Sequence, residues 1–199
     1  MLLKRNSTKL VDKPNYPVKL YTFTGIIEQN LEYTLNLIST IEDPTVKYKN
    51  EDSPAKLAKL KADIKNDILN YPPEEIVKII TFATNMESVY NFANEIKGYI
   101  KEAVKYPPID FDLSAIAIKI SGIAKKVIDG FFTGNGAPEL ENEIFDAGTD
   151  LNNALKRLNK LNGRDKGDKG RIVYYAGIAA TMKSIIRINC EILPFLKGG

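Results

Sequence analysis

The chain has no histidine, no tryptophan, one cysteine, and only five arginines among its 28 basic residues. Each scarcity removes a class of function. Without histidine the usual general base and the commonest metal ligand are missing, and nucleophilic triads built on histidine are excluded. A lone Cys190 permits no intramolecular disulfide and no cysteine metal cluster. Long apolar runs are scarce too. The longest near the C-terminal end, residues 172–182, has 11 residues, against roughly 20 for a membrane span. The first residues, MLLKRNSTKLVDKPNYP, hold no apolar core of signal-peptide length. The expectation is an intracellular protein, in the cytoplasm or inside a particle assembled within a cell.

Stretches with the period-two alternation of a half-buried strand are also missing, while apolar residues at helical spacing recur throughout. The apolar series Ile27, Leu31, Leu35, Ile38 and Ile41 predicts a helix over 24–42, ended by Asp43-Pro44. Ser53-Pro54 is a good N-cap followed by a proline suited to the first helical position. The helix it opens carries one narrow apolar line, Leu57, Leu60, Ile64 and Ile68, and should lie on the outside. Tyr71-Pro72-Pro73 stops it, and Tyr106-Pro107-Pro108 stops the next, over 74–105, in which Gly98 could mark a bend.

Residues 113–132 predict a central helix, apolar around most of its circumference. Ser114, Ala117, Ser121 and Ala124 give it a line of small side chains, matched by Gly177, Ala180 and Ser184 on the last helix, over 172–193. These two helices should be direct neighbours. Between them, a helix over 138–161 carries its acids first and its bases last, in the order that complements its dipole. The sum is an all-α, single-domain bundle of about six helices (23–199), with an extended N-terminal arm (1–22) and a buried central helix (113–132).

Chemistry is harder to find. Asp112 precedes a helix and reads as its cap, although Asp110 and Asp112 would also suit a metal. Asp146 and Asp150 lie one helical turn apart and could share a cation. Cys190, in an apolar helix, reads as a small core residue. No metal site and no cofactor site is expected.

Charge gives the one pattern of interest. Residues 156–171 carry seven basic side chains against two acidic ones, and include three of the five arginines. Arg157, Lys160, Arg164, Lys166, Lys169 and Arg171 form a candidate nucleic-acid-binding surface, pointing outward and extended by the basic N-terminal arm, with Tyr174 and Tyr175 as stacking faces. The principal expectation is nevertheless a non-enzymatic structural or interaction protein, self-assembling as a homo-oligomer or docking on a protein partner. Nucleic-acid binding is the second reading and a membrane-active bundle the third. The third is disfavoured by charges near the middles of both apolar helices, Lys119, Lys125 and Lys126 in one, Lys183 and Arg187 in the other.

Overall fold

A computed structural model describes residues 16–39, 41, 54–135, 138–161 and 169–196. Its elements are six α-helices: α1 (Val18–Ser39), α2 (Pro54–Asp67), α3 (Pro73–Ala103), α4 (Ser114–Thr133), α5 (Glu139–Leu161) and α6 (Lys169–Leu196). The all-α bundle expected from periodicity is what the chain forms.

The helices alternate in direction. Lys19 at the start of α1 bonds Asp67 at the end of α2, Lys126 on α4 bonds Glu143 on α5, and Lys183 on α6 bonds Asn152 on α5. Four helices form a ring in the order α1, α3, α6, α4, each packing on the next, and α4 closes on α1. Among the described residues the diagonal pairs, α1 with α6 and α3 with α4, make no backbone contact. The two amphipathic helices flank this ring on opposite edges: α2 against α1 and α3, α5 against α4 and α6. The outer position expected for α2 is observed, and only Leu57 and Ile64 of its helical residues are buried.

Aromatic rings close one end of the ring. Phe82 of α3 and Phe131 of α4 stack across a diagonal with centroids 3.6 Å apart and planes 3° from parallel. Tyr16 stacks on the far face of Phe131 at 4.9 Å, and Phe132 meets Tyr16 edge-on. This pins the start of the described chain to the end of the bundle where α1 and α3 begin and α4 and α6 finish. Helix α4 stops at Gly134, whose φ of 70° is a left-handed conformation that glycine adopts without Cβ strain.

Several expectations need correction. The central helix does touch three others, α1, α5 and α6, and Ile120 and Ile123 are buried with Ile116 packed beside them. It is not the most buried element, however. Ile118 is 63% exposed, whereas α1 and α6 each bury a larger share of their length. The last helix also runs past Pro194 to Leu196. A proline so near the C-terminus forfeits only its own N–H, and Leu196 is buried against Gly130. Gly98 lies within an uninterrupted α3.

The extended arm expected over 1–22 is shorter, because residues 18–22 belong to α1. Pro17 acts as a helix-start residue, its carbonyl accepting from the Leu20 amide at 2.9 Å. Residues 1–15 of the arm lie outside the described residues. Helices α4 and α6 are neighbours, as expected, with Gly130 of α4 against Leu196 of α6, but Gly177 of the expected small-residue line faces Tyr99 of α3 instead.

Candidate functional site

The basic segment divides on inspection. Arg164 and Lys166 lie outside the described residues. Arg157, Lys160 and Lys169 are exposed at the end of the bundle where α5 stops and α6 starts. Arg157 extends over the Phe111 ring, 5.9 Å from its centroid, along a groove that also holds Asp110, Asp112, Lys119 and Asp150.

Arg171 is the clear correction. Instead of pointing outward it is 2% exposed, and its Nη1 donates to the Tyr106 carbonyl at 2.5 Å. The reason is local. Helix α6 begins at Lys169 rather than 172, so Arg171 falls inside the first turn and faces α3. There it takes up a carbonyl exposed by the end of that helix. Tyr175 is withdrawn as a stacking face as well, being 1% exposed, while Tyr174 is half-buried beside Tyr106 and Tyr99.

The acidic pairs resolve into structural roles. Asp112 sits one residue outside the α4 cap position, where its Oδ1 accepts from the Ser114 amide at 2.7 Å. It therefore performs the capping expected of it, displaced by one residue. Asp150 does hold a cation, the ammonium of Lys119 at 2.7 Å. Among the described residues no group of three or more histidine, cysteine or acidic side chains could hold a metal ion.

A site that sequence reasoning missed lies at the opposite end of α5. Ile144, Phe145 and Gly148 of α5 and Ile186, Cys190 and Leu193 of α6 line an open groove of about 400 Å³. Ile144 and Ile186 form its floor, both buried. Phe145 stands at its edge, 74% exposed. Gly148, one turn further on, contributes no side chain, which keeps the groove open beside the ring. The Lys183 ammonium donates to Asn152 Oδ1 at 3.2 Å across one end.

Cys190 lies in this groove, so the expected core position is corrected: it is exposed. Burial of part of its surface pushes the thiol up from its ordinary value, with Glu191 and Glu141 adding to the effect. Glu141 lines the groove, and Glu191, next to Cys190 in the chain, is ion-paired with Arg187 at 3.6 Å. Because a raised pKa leaves less thiolate, Cys190 is a poor nucleophile at neutral pH. One signal in the sequence pointed to this groove: Phe145 lies outside the apolar stripe of α5, on its acidic side.

The architecture places the chain among all-α bundles with a four-helix ring and two flanking helices. Comparison with known protein families, with curated proteins and with solved structures found no match.

Proposed function

We propose that this bundle is a non-enzymatic interaction protein whose α5–α6 groove takes an apolar segment of a protein partner, either a second copy of the chain or another protein. The observation that carries the reading is Phe145: a phenylalanine left 74% exposed on the rim of an apolar groove. Covering a side chain of that size gains about 1.5–3 kcal/mol, and exposed aromatics over well-packed pockets are where binding energy concentrates. The absence of histidine from the sequence supports a binding role over a catalytic one. No described helix is long and apolar enough to cross a membrane.

A titration tests the reading. A fluorescent amphipathic peptide of about 15 residues with one leucine-rich face should bind the full chain. Phe145→Ser should weaken it by roughly tenfold, the scale of one well-buried side chain. A peptide with serine in place of its leucines should fail to bind. Equal affinity for wild type and Phe145→Ser would remove the proposal. Mass in solution against concentration then separates a second copy from a different partner.

Polyanion binding at the other end of the bundle rests on fewer groups, Arg157, Lys160 and Lys169, with Asp110 and Asp112 close by. It would show as an affinity that falls steeply as salt rises.

A further inference from the structure

We infer that α2 is a detachable strap: it opens from the bundle as a unit while the other five helices stay packed, and so uncovers the face of α1 beneath it. It lies on the edge of the ring opposite the α5–α6 groove.

The two flanking helices are held unequally. Helix α5 is wedged between α4 and α6 and buries Leu140, Ile144, Ala147, Leu151, Ala154 and Leu158 along its 23 residues. Helix α2 has 14 residues, of which Leu57 and Ile64 are buried. Ile68, just past its end, adds a third anchor, and Leu60 packs half-buried beside them. These side chains lean chiefly on α1 and only lightly on α3. A helix held by few apolar contacts opens at a free energy below that of the whole fold.

Polar contacts do not make up the difference. Lys19 of α1 reaches Asp67 at 3.2 Å and Asp63 at 3.9 Å, and Lys61 pairs with Glu87 of α3. The carboxylates of these pairs are 35–37% exposed, and pairs so exposed add little and are screened by salt. Nor can α2 hold its own helix, because 14 residues form only a marginal helix in water once alone. Undocking and melting are therefore one event, and the whole of α2 takes part in it. The Lys19–Asp67 contact sets α2 antiparallel on α1, which puts Ile64 about level with Phe23 and Leu57 with Asn30. Opening uncovers α1 along that stretch.

Native-state hydrogen exchange, read by mass spectrometry on the full chain, tests this. Peptides covering 55–67 should exchange together, on the order of a hundredfold faster than those of α5 and α6. Their exchange should also depend less steeply on denaturant, because opening exposes less surface than unfolding does. A substitution in the ring separates the two events. Ile185 of α6 is fully buried, and among the described residues α6 makes no backbone contact with α2. Ile185→Val weakens the ring whether α2 is docked or not. It should speed exchange in α5 and α6 by about two- to tenfold and leave α2 unchanged.

Exchange of α2 at the rate and denaturant slope of α6 would mean that it opens only when the whole chain unfolds, and would overturn the inference. So would an α2 rate that keeps step with α6 in Ile185→Val. Exchange that spreads inward from the ends of α2 would show fraying rather than release as a unit. Exchange of α5 as fast as that of α2 would remove the distinction on which the strap depends.

Discussion

The ring of Tyr106 lies directly on the backbone of Gly170: a Cβ built on that glycine would stand 2.3 Å from the ring's Cε1. Seven residues on, Gly177 faces the Tyr99 ring in the same way, at 2.9 Å. The end of α3 thus seats two tyrosines, seven residues apart, on two glycines of α6. The pairs differ in closeness: the Tyr106 backbone is fixed by Arg171 at its carbonyl and its ring lies nearer its glycine, whereas the atoms of Tyr99 nearest to Gly177 are at the far end of the ring.

Alanine should separate the two pairs. Gly170→Ala forces the closer ring aside, at about 1–3 kcal/mol, with little helix-propensity gain so close to the α6 start. Gly177→Ala sits in mid-helix and gains about 1 kcal/mol in propensity, against the modest shift of a ring tip. Urea unfolding followed by circular dichroism should show a clear loss for the first and near neutrality for the second. Equal losses would mean that both rings are equally confined.

Arg171 and Arg157 form a second contrast. Removing Arg171 takes away a charged donor buried against a carbonyl, so Arg171→Ala should cost about 1.5–3 kcal/mol. Arg157→Ala, at an exposed position, should change stability by no more than about 0.5 kcal/mol. Thermal denaturation checks this, at roughly 2–4 °C per kcal/mol for a domain of this size. Matching melting temperatures for the two variants would contradict the burial of Arg171.

These arginines show what was legible and what was not. Apolar spacing along one helix is a local property, so Leu57, Ile64, Leu151 and Leu158 revealed their inward faces directly. Where helix α6 begins is decided jointly with α3, and a three-residue shift in that boundary moves Arg171 from a solvated loop to a buried turn. Pro17 and Pro194 suggest an arm and a stop. With Leu20 and Leu196 packed in the core, helix instead starts directly after the first proline and runs beyond the second. The groove at Phe145 depends on how two helices splay, which no single-helix pattern encodes. Only the misplaced aromatic hinted at it.

Asn189 is a polar side chain in the wrong surroundings. It is 0% exposed, and neither its amide nitrogen nor its oxygen finds a hydrogen-bond partner. An unsatisfied buried group costs about 1–3 kcal/mol. Asn189→Leu should recover much of that and raise the melting temperature. A fall of similar size would show that the amide is satisfied by bound water, whose loss leaves a cavity.

Glu28 of α1 gives the fold its pH signature. It lines the shallow groove between α1 and α4 with Glu32, Ser121 and Lys125. Partial burial disfavours its charged form. Lys125 opposes that effect, while Asp129 and Glu32 reinforce it, and the net result is a carboxyl raised above its ordinary range. A carboxyl raised by folding holds its proton more tightly in the folded chain than in the unfolded one. Stability from this group is therefore fully present below the ordinary carboxylate range and is lost as pH rises through the raised folded value. Glu28→Gln removes the titration and the buried charge together. At about pH 7 the variant should be more stable than wild type, and the gap should close as pH falls to the ordinary carboxylate range. Denaturant midpoints for both proteins across that window decide the matter: curves that stay parallel would show that Glu28 is as well solvated in the fold as in the unfolded chain.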